Sequence, residues 1–332
     1  MSLNDRILDL SELPARLSVR NDLLVILVQN RGTGVPPVAD HGQDGRATEA
    51  YRCEHDPDPA EQAVPLADIA VLIAAHPQIS FTHAVLAGLA EAGGMFIACN
   101  EKHMPCAMLL PLATHSTQAE RFAAQAALPV PNRKRLWQQI VKAKIRAQAN
   151  VLMQVSQQTS GASSDAGLTR LAARVRSGDP ENLEAQAARI YWKNLFGEDD
   201  FRRNPEGEGL NPALNYGYAV LRAMVARALC AAGLHPSLGI HHHNRYDAFC
   251  LADDLMEPFR PVVDRAVVRL KDQRGPNPPL DRETKRVLLE ALLARFEADG
   301  ESRTLFDWIG RTATSLAKAV EHGEKQIEIP PL

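Results

Sequence analysis

Near residue 115 the hydrophobic period of this 332-residue chain changes. Before that point apolar residues come in short, β-branched runs; beyond it they recur at helical spacing. Ala15–Val19 and Leu23–Val28 are such runs, separated by Arg20-Asn21-Asp22, and Asn and Asp tolerate the backbone of a hairpin turn. Asp68–Ala75 reads as a buried strand, and Thr82 as the cap of a short helix, His83–Ala92, stopped by Gly93-Gly94. Met95–Cys99 and Cys106–Leu110 read as two more strands around a turn at Asn100–Pro105. Helices are predicted at 116–127, 132–158, 166–176, 181–196, 211–232, 255–272, 281–298 and 303–321. At roughly 150 residues per domain, the length fits about two domains. The expected class is therefore α+β: a β-rich N-terminal domain with one short helix over residues 1–112, then an all-α domain over 113–332.

Two segments fit neither pattern. Gly32–Ala63 is rich in Gly, Pro, Asp and His and almost free of large apolar residues, so it is expected to be a flexible surface loop with His41 and His55 solvated. The tail Gln326–Leu332 carries two prolines and cannot extend a helix; fraying is expected in preference to a strand added to a partner's sheet.

Thirty-seven basic against 40 acidic residues give a net charge of −3. Any affinity for nucleic acid must therefore come from local patches. No run approaches the roughly 18–20 apolar residues of a membrane helix, and the N-terminus lacks a basic region followed by an apolar stretch. The five cysteines form no CxxC pair, which argues against a disulfide framework or zinc ribbon and for the cytoplasm.

Three stretches could carry chemistry. In Asp254-Leu-Met-Glu257-Pro-Phe-Arg260-Pro261 the two acids lie three apart, on one side of a helix. Pro258 and Pro261 are tolerated only near a helix start, so the helix should begin at Asp254 or Leu255. Asp254 is then either an N-cap or a ligand, and Glu257 either closes a capping box or binds an ion. In Gly239-Ile-His-His-His243 at most one or two imidazoles can reach one ion, and spacing does not choose among them. Glu184 shares a stripe with Ala188 and Tyr191. A carboxylate there must be paired, to Arg189 or another base, or metal-bound. One Glu, one His and one or two further acids form a mixed oxygen and nitrogen set suited to Mg²⁺ or Mn²⁺; structural zinc lacks its cysteine pairs.

The strings LEAQAARIYW (183–192), LNPALNYGYAVLRAMVARAL (210–229), GLHPSLGIHHHNRYDAFCLADDLMEPFRP (233–261) and RKRLWQQIVKAKIRAQA (133–149), with VPLADIAVLI and MFIACNEKHMPCAMLLPL before them, resemble the CRISPR-associated endonuclease and integrase of spacer acquisition, the first of the numbered Cas proteins. The members from type II systems are the most similar. The departure is the insertion at 32–63, where the family has a tight hairpin. The resemblance implies that Glu184, His242 and Glu257 are the metal ligands and catalytic residues, with Asp254 at the edge of the site, and returns His241 and His243 to ordinary roles. It implies attack by a spacer precursor's 3′-hydroxyl on a phosphodiester of the CRISPR repeat, a homodimer, and a small dimeric partner, the second Cas protein. Arg189 and Arg260 lie beside the ligands and either steady phosphate oxygens or pair with a carboxylate. Double-stranded DNA would be held by the face of Arg135, Lys142 and Arg146, with Arg133, Lys134 and Lys144 beside it, and by Arg265, Arg269, Lys271 and Arg245. Tyr218, Leu221 and Val225 follow core spacing. The competing readings are a stand-alone nuclease for branched DNA and a non-catalytic DNA-binding scaffold.

Overall fold

The structure, a computed structural model, describes residues 6–28, 61–101, 105–109, 115–196 and 201–332. The N-terminal part holds two four-stranded sheets. Strand β1 (Arg6–Leu10), which the sequence reading did not anticipate, precedes β2 (Ala15–Arg20) and β3 (Leu23–Val28). Asn21 and Asp22 both take positive φ, 52° and 60°, the backbone a two-residue hairpin requires. β4 (Glu61–Pro65) pairs antiparallel with β3, a short 3₁₀ turn leads into β5 (Ile69–Ala74), and β6 (Ser80–Phe81) pairs parallel with β2. Residues 61–63 are thus strand and not loop; the remainder of the anticipated loop, with His41 and His55, falls within 29–60, outside the described residues. Helix α1 (His83–Glu91) links β6 to β7 (Met95–Cys99), and β8 (Pro105–Leu109) follows. The strand orders are β4-β3-β2-β6 and β1-β5-β7-β8.

β5 reads Ile-Ala-Val-Leu-Ile-Ala because both its faces are covered. Ile69 and Leu72 join Leu17, Leu24, Val85 and Leu89 in a core between the two sheets and α1. Ala70, Val71 and Ile73, with Met95 and Ile97 from β7, belong instead to the large core that continues into the helices. One sheet therefore serves as floor for both parts.

The helical part comprises α2 (Gln118–Ala126), α3 (Val130–Ser160), α4 (Leu168–Arg174), α5 (Leu183–Phe196), α6 (Asn211–Ala231), α7 (Cys250–Met256), a 3₁₀ turn at Glu257–Phe259, α8 (Arg260–Arg274), α9 (Arg282–Leu293), the hairpin β9 (Arg295–Ala298) and β10 (Glu301–Thr304), and α10 (Leu305–His322). α6 is buried on nearly every side and forms the axis around which the others pack. Among the described residues no helix is long and apolar enough to cross a membrane, and Cys99, Cys106, Cys230 and Cys250 carry free thiols.

Three expectations need correction. The helix expected over 281–298 stops at Leu293. Asp299 and Gly300 then turn through positive φ (51° and 78°), and the flanking residues pair as β9 and β10. The helix expected to begin at Asp254 or Leu255 begins at Cys250, passes through the 3₁₀ turn and resumes at Arg260. Pro258 and Pro261 sit in the opening positions of the 3₁₀ turn and of α8, where a missing N–H is harmless. The tail is not frayed: Ile327 and Pro330 are buried. Ile327 N donates to Gln139 Oε1 (3.0 Å), Glu328 N to Ser315 Oγ (2.9 Å) and Asn150 Nδ2 to Leu332 O (3.0 Å), strapping the tail along α3 and α10.

Ile327→Ala should therefore lower unfolding free energy by roughly 2 kcal/mol in a urea titration. A free tail would leave it unchanged.

Candidate active site

Three stretches deliver the charged residues, each fixed by local chemistry. At the start of α5, Gly178, Asp179 and Asn182 turn the chain through positive φ. Asp179 then accepts from Leu183 N and Glu184 N at 2.9 Å each, capping the free amides of the first turn and setting Glu184 within it. On α3, Ile140, Val141 and Ile145 are buried, and Lys144 lies on the same stripe, so its ammonium is carried inward. Lys144 Nζ stands 2.6 Å from Glu184 Oε1 and 2.6 Å from Glu257 Oε2. Arg260 Nε lies 3.2 Å from the other oxygen of Glu257, its guanidinium over the Tyr218 ring at 4.4 Å.

The third stretch is the histidine loop, organised by Asp254. Asp254 is fully buried on α7 and is not a cap of its own helix; nor does Glu257 close a capping box. Asp254 instead accepts from Ile240 N (2.6 Å), His241 N (2.8 Å), His242 N (3.2 Å) and His242 Nδ1 (2.6 Å). Arg222 on α6 grips the neighbouring Asp253 through two bonds of 2.6 and 2.9 Å, holding α7 in place. Gly239 is required by close approach: a Cβ there would come within 2.2 Å of His242 O. Trp137 on α3 backs the loop, its ring stacked on His241 with centroids 4.2 Å apart and planes 2° apart.

These contacts set the protonation states. The Asp254 hydrogen bond raises the His242 pKa, against burial, with help from the charges of Asp254, Glu257 and Glu184. Burial and the His242 charge lower that of His241. Burial opposes ionisation of Glu257, but Arg260 and Lys144 outweigh it and hold its carboxyl below the usual range. Burial likewise opposes the Lys144 ammonium, and Glu257 and Glu184 overcome it. Behind these groups, Tyr191 Oη (2.9 Å) and Tyr218 Oη donate to Asp264 on α8, binding α5, α6 and α8 together. Burial raises the Asp264 pKa to about 6, although both tyrosines and Arg260 work to lower it.

The structure thus brings Glu184 and Glu257 onto one cation, Lys144, and places His242 where both glutamates act on its charge. Among the described residues no three His, Cys, Asp or Glu side chains already close on one point as a metal cluster does, because Lys144 stands between two of them. The donor set nevertheless fits a divalent ion. Glu257 Oε2 is buried and lacks a directed hydrogen bond despite its close ion pair. The imidazole, held at Nδ1 by a carboxylate, has no hydrogen bond at Nε2 among the described residues.

The basic candidates divide. Lys144 belongs to the acidic centre and Arg260 pairs with Glu257. Arg133 is tied to the carbonyls of Leu128 and Ala126. Arg135, Arg146, Arg189, Arg245 and Arg269 are exposed and Lys142 is partly so. Sequence reasoning missed Asp179 and Trp137 and misplaced Lys144. The available signal was a cation on an apolar stripe, the same kind that singled out Glu184.

Comparison with known proteins bears on this arrangement. Residues 45–291 match the family described as CRISPR associated protein Cas1. The chain belongs to that family. It is 37% identical over 270 residues to the CRISPR-associated endonuclease Cas1 of Neisseria meningitidis serogroup C (strain 8013), covering 81% of this chain and 87% of that one. Its fold is similar to that of a casposase bound to an integration product (TM-score 0.73, 19% identity, 97% of this chain and 92% of that one). It is also similar to a chain of a Cas6-RT-Cas1–Cas2 complex (TM-score 0.69, 18% identity, 98% and 36%). The strand-rich N-terminal part and helical C-terminal part of this chain also fit the fold of a Cas1 protein from Thermotoga maritima (TM-score 0.67, 16% identity, 97% of this chain and 99% of that one).

Asp254→Ala strips the acceptor from three loop amides and should cost about 3 kcal/mol in urea unfolding. Asp264 makes a pH-dependent contribution. Its folded pKa lies above the ordinary 3.8, at about 6, so the folded state binds more protons between those values and ionising Asp264 penalises folding as pH rises through them. The stability of the wild type relative to Asp264→Asn should therefore fall from pH 4 to pH 6 and level off above, as followed by thermal melts.

Proposed function

We propose that this Cas1-family chain is a divalent-metal-dependent DNA integrase and endonuclease that inserts spacer DNA into a CRISPR array. The observation that carries the reading is the sharing of one ammonium by Glu184 and Glu257, beside an imidazole aligned by a buried aspartate. A carboxylate pair with an oriented histidine is a hard, mixed donor set suited to Mg²⁺ or Mn²⁺. In this reading Glu184, Glu257 and His242 Nε2 are the metal ligands. When bound, the ion polarises the scissile phosphate and stabilises charge on the attacking and leaving oxygens.

The protein's own residues prepare that chemistry. Asp254 fixes the ring orientation of His242 and the path of its loop. Arg260 and Lys144 keep Glu257 ionised, so the buried carboxylate stays an acceptor instead of taking a proton. Lys144 keeps the two glutamates together. Asp254 is a positioning residue, its two oxygens already engaged by the loop.

Arg135, Lys142, Arg146, Arg189, Arg245 and Arg269 hold the DNA backbone, contacts that fix position without reading sequence. Residues 1–112 act as the dimerising domain and 113–332 as the catalytic one. A small Cas2 dimer joins two Cas1 dimers, a partnership supported by the Cas6-RT-Cas1–Cas2 fold neighbour. The casposase bound to an integration product supports strand transfer as the reaction.

The test supplies purified protein and its Cas2 partner with Mn²⁺, short duplexes and a repeat-bearing plasmid. Glu184→Ala, His242→Ala and Glu257→Ala should each reduce strand-transfer product at least about 100-fold. Product that persists in these variants refutes the ligand assignment.

A further inference from the structure

Asp254 anchors the histidine loop at Ile240, His241 and His242. The chain enters that loop from α6 through residues 234–239, which are neither helix nor strand. Main-chain polar groups in such a stretch need partners from elsewhere. One amide and two carbonyls find them in a single side chain on α2. Gln125 is 5% exposed. Its Oε1 accepts from His235 N (2.9 Å), and its Nε2 donates to His235 O (2.9 Å) and Leu238 O (2.9 Å). A carboxamide has two N–H donors and one carbonyl acceptor, so both of its hydrogens are used and both main-chain groups of His235 are held. One turn earlier on α2, the Phe122 ring meets the His235 ring edge-on with centroids 5.1 Å apart.

α2 is itself fixed. Arg121 Nε pairs with Glu321 on α10 at 3.1 Å, and Arg121 Nη1 donates to Ala232 O at 2.7 Å, at the end of α6. Gly233 turns the chain there with a φ of 71°, and a Cβ on it would lie 3.0 Å from Arg121 Cδ. Further along, Pro236 O accepts from Leu251 N (2.8 Å) and Ala252 N (3.3 Å) in the first turn of α7. Residues 235–238 are therefore set between α2 and α7, and only Gly239 separates Leu238 from the amides that Asp254 collects. Gly239 packs against His242 O closely enough to exclude a Cβ, so a shift at Leu238 is passed on to His242. One anchor leaves a loop free to pivot; two anchors on separate helices fix its direction.

We propose that Gln125 is a positioning residue for the metal centre: by fixing His235 and Leu238 to α2, it sets where the His242 imidazole stands relative to Glu184 and Glu257. The inference rests on the metal-dependent reading above and deepens it. Asp254 fixes the rotation of the ring, and Gln125 fixes the place of the loop that carries it. Partners that act through a ligand in this way commonly govern about 10–100-fold in metal affinity.

The test follows Mn²⁺ binding to the DNA-free full chain by electron paramagnetic resonance. Wild type should bind the ion with an affinity that Glu184→Ala lowers. Gln125→Leu, close in size but without hydrogen bonds, should weaken Mn²⁺ binding about ten-fold. In the strand-transfer assay it should lower kcat and leave KM for DNA unchanged. Gln125→Glu keeps the acceptor for His235 N and loses both donors. It should show the same loss, and it decides the question if Gln125→Leu does not melt cooperatively. Ile327→Ala, loosened at the tail, controls for a general loss of stability and should bind Mn²⁺ as wild type does. Unchanged Mn²⁺ affinity in the Gln125 variants, an equal loss in Ile327→Ala, or a raised KM with kcat intact overturns the proposal. Wild type and Glu184→Ala that bind Mn²⁺ alike overturn the ligand reading, and this inference with it.

Discussion

Two carboxylates cannot both stay ionised in a buried site unless cations stand with them. Glu184 and Glu257 meet that condition through a single ammonium on a third element, with Arg260 supporting Glu257. Much of the helical part can be read as scaffolding for this contact. α3 must be long enough to carry Lys144 past α5 and the 3₁₀ turn. α5 must begin abruptly, which the Asp179 cap ensures. The α7–α8 connection must break at Glu257 so that its side chain turns inward. Removing one member leaves the others as uncompensated buried charge, which couples the three elements energetically as well as chemically.

The histidine loop follows a different principle. It lacks regular structure, so its amides need an acceptor from elsewhere, and Asp254 supplies one for three of them and for the imidazole. Orientation of the His242 ring and satisfaction of the loop backbone are therefore one interaction. The Asp264, Tyr191 and Tyr218 cluster does comparable work a layer deeper, and its link to the site runs through the Tyr218 ring on which Arg260 rests.

Some of this was legible in the residues alone. The Asn21-Asp22 hairpin, the doubly buried β5 and most helices follow from local chemistry and periodicity, and Glu184 stood out as an acid on an apolar stripe. His242 did not. Three adjacent imidazoles are equivalent by spacing, and only resemblance chose among them, because what distinguishes His242 is a carboxylate reached through the fold. Asp254 was misread because the two prolines suggested one late helix start where the chain makes a 3₁₀ step between two helices. The Asp299-Gly300 turn carried its usual signature but was overridden by helical spacing before it. The tail's Ile327 and Pro330 looked exposed only because their groove is built from α3 and α10, far away along the chain.

The pairing of β3 with β4 has a consequence for how this protein can vary. Leu27 and Glu61 are register partners, so the chain leaves this four-stranded sheet and re-enters it at neighbouring positions. The two ends of any connection between them are thereby held about one inter-strand spacing apart, whatever lies between. That edge is accordingly a place where residues added or removed between the strands leave their pairing unaltered.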